Sequence, residues 1–270
     1  KAKQRGIKVH HLNIGQPDIE TPTLIMDAVK HADVKVLAYS HSAGNESYRK
    51  KLVEYYKKNG IELTHEQIII TAGGSEAIVF GMMACLDAGD EVIIPTPFWV
   101  TYSELVKIAR GKVVQIQTSL ENSFKLTPQQ LEAAITERTR LFMFSSPCNP
   151  SGSVYSLEEL QALVEVFKKY PDVYILSDEI YEYINFVGKH ESLGAIERVK
   201  DRVVTVNGLS KGFAMTGWRL GYIGACKEIA DACTKIHKDS CRQRGGIPIR
   251  QSPFGHEGSR SRPGRLRWGE

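Results

Sequence analysis

Between residues 67 and 226 the chain alternates two patterns of apolar positions. Short β-rich runs occur at 67–72, 91–95, 112–117, 141–145, 173–177, 202–206 and 221–226 and predict seven strands. Stretches with apolar residues three and four apart predict helices over 75–86, 100–109, 128–135 and 157–169, with a short link at 193–199. Leu160, Leu163, Val164 and Phe167 fall on one helical face, and Ser156 with Glu159 has capping-box spacing at its start, so 157–169 is expected to be a surface helix. Another amphipathic helix is predicted over 46–58, preceded by an arm punctuated by Gly15, Pro17 and Pro22. Strands alternating with helices predict an α/β fold, a mostly parallel seven-stranded sheet sandwiched by helices.

Composition changes this picture little. Hydrophobic residues at 42% and charged residues at 24% describe a soluble globular chain, and no apolar run is long enough for a membrane span. Lys1, Lys3, Arg5 and Lys8 lead into no apolar stretch, so no secretory signal is expected and the chain is read as cytoplasmic. Five cysteines (Cys85, Cys148, Cys226, Cys233, Cys241) form no CxxC pair; reduced thiols are expected, with neither a disulfide framework nor a metal site. Charge changes more. Residues 241–270 hold seven Arg, no Lys and two acids, so the net +4 of the chain leaves the body, residues 1–240, at −1. Basicity therefore belongs to the tail, and the folded body is expected to bind neither nucleic acid nor membrane.

In a sheet of this kind ligands sit beyond the carboxyl ends of the strands. Thr71-Ala72-Gly73-Gly74-Ser75-Glu76 follows a strand and opens a helix, where glycines and free helix amides can receive a phosphate; by itself it also reads as a turn with an N-cap. It is neither a P-loop nor a GxGxxG fingerprint, so ATP and NAD gain no support. Ser145 to Gly152 places Asn149 between two prolines after another strand, which otherwise reads as an Asn-Pro turn. Asp178 ends a strand, partly buried, and needs a cation or hydrogen-bond donors, the plain alternative being a structural ion pair. Lys211 lies in a loop after a strand among small and apolar residues that depress an amine's pKa, with Arg219 eight residues on.

These segments resemble the class I and II aminotransferases, pyridoxal-phosphate enzymes of the aspartate aminotransferase fold. The carrying stretches are Asn13 to Asp18, Tyr39 to Gly44, Gly73-Gly74-Ser75, Pro97 to Tyr102, Cys148 to Gly152, Asp178 to Tyr181 and Ser210 through Arg219, in the family's order over about residues 5–237. The resemblance implies pyridoxal 5'-phosphate as cofactor, with Lys211 carrying it covalently, Asp178 pairing with its ring nitrogen, and Tyr181 and Asn149 reaching its phenolic oxygen. It further implies that Trp99 stacks on the ring, that Gly74, Ser75, Glu76 (through backbone amides) and Arg219 cup the phosphate, and that Tyr39 serves the phosphate of a neighbouring subunit in a homodimer. Lys211, Asp178 and Tyr181 are the implied catalytic residues, and Gly15, Trp99 and Asn149 the implied substrate contacts. The implied reaction moves an amino group between an amino acid, aspartate as first choice, and a 2-oxo acid. A same-fold β-lyase, an aminocyclopropane-carboxylate synthase, the ligand domain of a transcription regulator or a non-catalytic cofactor-binding protein are the alternatives.

The expected organisation is an arm or small-domain segment over 1–30, a cofactor-binding large domain over 31–240, and a tail over 241–270 unlike the family. The family's late small-domain segment, with its arginine for the substrate's α-carboxylate, has no counterpart. Lys1 in place of a methionine suggests a fragment, of doubtful activity by itself. The switch from 20 Lys and 8 Arg in the body to seven Arg in the tail reads as a change of reading frame, with a natural disordered basic tail as the alternative.

Overall fold

The computed structural model describes residues 2–10, 15–36 and 38–243. In chain order come α1 (Thr23–Lys30), α2 (Glu46–Lys58), β1 (Ile68–Thr71), α3 (Gly74–Cys85), β2 (Glu91–Thr96), α4 (Thr101–Ile108) and β3 (Lys112–Gln117). They are followed by α5 (Pro128–Ala134), β4 (Thr139–Ser145), α6 (Leu157–Phe167), β5 (Tyr174–Asp178), β6 (Val203–Gly208), β7 (Gly221–Gly224) and α7 (Lys227–Gln243). The seven strands form one sheet in the order β1-β7-β6-β5-β4-β2-β3. Only β7 runs against its neighbours, β1 and β6; the other adjacent pairs are parallel. The carboxyl ends of β1, β2, β4, β5 and β6 consequently share one edge of the sheet.

Both faces of the sheet are covered, which is why its strands read as unbroken apolar runs. Along β4 the side chains alternate: Leu141 and Met143 enter the core beneath α3 and α4, while Phe142 and Phe144 enter the core beneath α6. The Ser156–Glu159 capping box forms as the spacing predicts, with Glu159 N–H donating to Ser156 Oγ at 3.3 Å. Pro128 opens α5 behind a second capping box, Thr127 with Gln130.

Two helices have no counterpart in the sequence reading. α1 occupies the arm between Pro22 and His31 and buries no side chain, so it lacks the one-sided packing that marks the other helices. α7 buries Ile229, Ala230 and Cys233 against the α3 side of the core, and Ile236 packs beside them. Ile229, Cys233 and Ile236 recur at helical spacing after the last predicted strand. The helix continues to Gln243, past the boundary expected at 241; the rest of the expected tail, 244–270, lies outside the described residues. The link at 193–199 is realised as short 3-10 turns at Leu193–Ala195 and Lys200–Arg202. Cys85, Cys148, Cys226 and Cys233 are free thiols.

Candidate active site

A cleft of about 340 Å³ opens at the shared carboxyl edge of the strands. It is lined by Gly15 from the arm, Gly74 and Ser75 at the start of α3, Trp99 and Tyr102 after β2, Asn149 after β4, Asp178 and Tyr181 after β5, and Ser210, Lys211 and Arg219 after β6. Residues far apart in sequence meet here because each parallel strand delivers its following loop to the same edge.

Asp178, the last residue of β5, is 5% exposed. Its Oδ2 accepts a 2.5 Å bond from the Tyr102 hydroxyl and its Oδ1 accepts from Ile180 N–H at 3.2 Å. No lysine, arginine or histidine among the described residues pairs with it, so the plain alternative of a structural ion pair is not what the fold builds. Burial pushes its carboxyl up to about 6; the bonds from Tyr102 and Ile180 work against that rise, and neighbouring Glu179 adds to it. Tyr102 is itself buried, its phenol held well above the ordinary range by burial and by Asp178, so it stays a donor. Sequence reasoning gave Tyr102 no role. Its signal in sequence is an aromatic in the first turn of the helix after β2, three residues beyond Trp99.

Lys211 enters the cleft from the loop after β6. Its Nζ donates to the Gly15 carbonyl and lies 5.8 Å from the centre of the Tyr181 ring. Burial, reinforced by the Arg219 charge, lowers its pKa. The arm is also tied to this loop by Thr21 Oγ1, which donates to the Ala214 carbonyl at 2.7 Å. Tyr181 accepts a 3.3 Å bond from Asn149 Nδ2, and burial followed by the Asp178 charge raises its phenol's pKa. Trp99 stands edge-on to Tyr102, ring centres 5.4 Å apart and planes at 87°.

The far end of the cleft has the opposite character. α3 starts at Gly74 with no side-chain cap, leaving its first amides without intrahelical partners. Glu76 in that turn accepts from Ala72 N–H at 2.6 Å, so its carboxylate braces the loop while its own amide stays part of the helix end. Arg219, exposed and in the left-handed region at φ 54°, donates to the Thr216 carbonyl at 3.1 Å and forms no ion pair among the described residues. Its guanidinium lies against Gly73, where φ is +91° and a Cβ would fall 2.3 Å from Nη2. The positive φ favours glycine there, and a side chain would have to push the guanidinium aside.

One predicted site residue stands apart from this picture, and another takes part through its backbone. Tyr39 is fully exposed and does not line the cleft of its own chain. Gly15 lines it through backbone, with a built Cβ 3.8 Å from Lys211 Nζ.

The family described as aminotransferase class I and II matches residues 7–249. An aspartate/prephenate aminotransferase of Nitrosomonas europaea is 43% identical over 254 residues, covering 92% of this chain and 63% of that protein. An aspartate aminotransferase of Bacillus subtilis is 41% identical, covering 88% of this chain and 61% of that protein. The solved structure of an aspartate aminotransferase from Thermus thermophilus with maleate superposes with a TM-score of 0.82 at 38% identity, over 88% of this chain and 62% of the other. The chain thus spans about three-fifths of the length of these relatives. A parallel sheet delivering a lysine, a buried aspartate and an arginine to one edge, within a sequence matched across nearly its whole described length, leads to one conclusion: the chain belongs to the class I and II aminotransferases, a pyridoxal-phosphate-dependent family.

Proposed function

We propose that this chain forms the cofactor-binding part of an enzyme that moves an amino group between an amino acid and a 2-oxo acid, with aspartate as the amino donor. The observation that carries the reading is the pairing of opposites in one cleft: a buried carboxylate without a cation, Asp178, and a helix end with an arginine without an anion, α3 with Arg219. Pyridoxal 5'-phosphate has a protonated ring nitrogen and a phosphate, and these residues fit it. The cradle at Gly73, which a Cβ would fill, leaves the guanidinium and the α3 amides together for the phosphate. The aspartate preference is supported by the names of the relatives, several of which also name prephenate as a substrate.

When bound, the cofactor supplies an electron sink that stabilises negative charge at the amino acid's Cα. Asp178, once ionised, holds the proton on the ring nitrogen. Lys211 Nζ would hold the cofactor covalently, and as a free amine it would be placed to take a proton from the substrate's Cα and to return one. Its lowered pKa favours the neutral amine that both tasks need. Tyr181 and Asn149, already linked through Asn149 Nδ2 and the Tyr181 hydroxyl, would hold the cofactor's phenolic oxygen, and Trp99 would cover its ring. Gly15 leaves room for the substrate's carboxylate beside Lys211.

Tyr39, exposed and outside the lining of its own cleft, fits a role at the phosphate of a second copy in a homodimer. Residues 31–240 act as the large domain in this reading, with 1–30 as a segment of the small one. The test is borohydride treatment after adding pyridoxal phosphate. A pyridoxyl group should appear on the peptide containing Lys211; modification elsewhere with Lys211 untouched contradicts the assignment.

A further inference from the structure

The turn that follows β5 divides its side chains between two tasks. Asp178, Ile180 and Tyr181 line the cleft, whereas Glu179 and Glu182 do not, though both are buried. Glu179 is well anchored: its Oε1 accepts from Ser177 Oγ at 2.9 Å and from Ser192 Oγ at 2.6 Å, and its Oε2 lies 3.1 Å from His190 Nε2. Glu182 reaches farther, accepting from the hydroxyl of Tyr55 in α2, 127 residues earlier in the chain. Burial raises the Glu182 pKa, the Tyr55 bond opposes that rise, and Glu179 adds to it. Burying a carboxyl in this way costs stability, and what a buried polar network gives in return is a single fixed geometry.

Tyr55 carries the connection on to the lysine side. Its hydroxyl accepts from Asn207 Nδ2 at 3.3 Å, and Asn207, buried near the end of β6, accepts from Gly208 N–H through its Oδ1 at 2.7 Å. Gly208 is closely packed: a Cβ there would lie 2.6 Å from the Leu220 carbonyl oxygen and 3.2 Å from Ile180 Cδ1. Lys211 follows three residues later. The directions of these bonds are fixed as well. Burial, with Tyr222 and Glu182 beside it, keeps the Tyr55 phenol protonated, so its one proton goes to Glu182 and its oxygen is left to accept from Asn207. One chain of hydrogen bonds therefore joins α2, the turn that bears Tyr181 and the strand end that leads to Lys211.

We infer that Tyr55 and Glu182 are positioning residues: with Asn207 they hold the Tyr181 turn and the lysine loop in register, so that the Tyr181 hydroxyl meets the group that Lys211 carries. The inference rests on the cofactor reading above. Neither residue lines the cleft, and both act through Tyr181. Hydrogen bonds weaken steeply with misalignment, so a small rotation of the turn is enough to lose the contact.

The experiment follows the absorbance of pyridoxal phosphate bound to the full chain as pH is varied. A donor on the phenolic oxygen draws negative charge away from the lysine nitrogen; its loss favours the protonated nitrogen and raises the midpoint of the change. Tyr181→Phe should raise it by about one pH unit, the size of one hydrogen bond to a charged group. Tyr55→Phe and Glu182→Ala should each move it the same way by a substantial fraction of that amount, and should add nothing in a Tyr181→Phe chain. Glu182→Gln keeps an acceptor for Tyr55 and should stay near the wild type. Tyr56→Phe, which loses a bond to Thr205 in the same cluster, should lower the unfolding temperature without moving the midpoint. An unmoved midpoint in Tyr55→Phe, a shift that persists in a Tyr181→Phe chain, or a Glu182→Gln shift as large as that of Glu182→Ala overturns the positioning role while leaving the cofactor reading intact. Tyr55→Phe decides the matter alone if Glu182→Ala fails to fold. A wild-type chain that never acquires the cofactor's absorbance overturns the cofactor reading, and this inference with it.

Discussion

The two ends of the cleft achieve the same result by opposite means. At the Asp178 end the charge is buried and depends on pH: the carboxylate sits at 5% exposure with two donors and no cation, and its pKa is about 6. At the Arg219 end the charge is exposed and permanent, a guanidinium held against Gly73 beside uncapped helix amides. The difference shows where each kind of group is useful. A carboxylate that must hold a proton on a ring nitrogen gains strength from dehydration, because the interaction of two charges grows as the local dielectric falls. A phosphate carries its own charge and many acceptor oxygens, so the site needs fixed donors and a cation that never titrates.

Breaking the connection between the two ends gives the largest effect. Lys211→Ala should eliminate the borohydride-trapped adduct completely and lower amino transfer by at least about a hundredfold, since a positioned general base contributes that much or more. Residual trapping at Lys211's peptide region from another residue would show that the covalent role was misassigned. At the exposed end, Arg219→Ala should weaken pyridoxal phosphate binding by about a hundredfold as two charge-assisted bonds are lost, and Arg219→Lys should recover only part, because an ammonium cannot reproduce the planar fork. Titration by absorbance checks both variants. Gly73→Ala should mimic a weaker form of the same lesion by displacing the guanidinium.

The buried end should respond to pH. Between the ordinary carboxyl value of 3.8 and about 6, the folded chain keeps a proton at Asp178 that the unfolded chain has lost. The folded state then binds more protons, and stability without cofactor falls as pH rises through that window, by at most about 3 kcal/mol. Asp178→Asn should flatten this slope and raise stability above pH 6, read by urea denaturation at a series of pH values; an unchanged slope would show that Asp178 is not its source. Tyr102→Phe is the smallest expected effect. Removing the phenol takes away a bond that favours the ionised form, so the fall should shift to higher pH and cofactor affinity should drop by about tenfold or less.

Much of this was legible in the sequence because strands and ligand-binding loops are punctuated locally. The β-rich runs gave the sheet, and the loops after them held Asn149, Asp178, Lys211 and Arg219 where a parallel sheet brings them together. What escaped notice depends on contacts across the chain. Tyr102 reads as one more aromatic in an apolar helix start until β5 sets Asp178 above it, 76 residues later in sequence. Gly73 reads in the sequence as part of a phosphate-receiving loop, but its contact with Arg219 becomes visible only once β7 folds back beside β1. The helices α1 and α7 lie outside the strand–helix alternation: α1 buries nothing, and the stripe of Ile229, Cys233 and Ile236 in α7 follows the last strand.

The central claim is that Asp178 is a dehydrated carboxylate waiting for a cation. The most direct test is a carbon-13 titration of its carboxyl group, assigned by the signal's loss in Asp178→Asn, with and without pyridoxal phosphate. Without the cofactor the midpoint should lie near 6, and with it the group should stay ionised well below that pH, because a protonated ring nitrogen favours the charged form. A midpoint near the ordinary value of 3.8 without cofactor, or one that does not move when cofactor binds, would contradict the account.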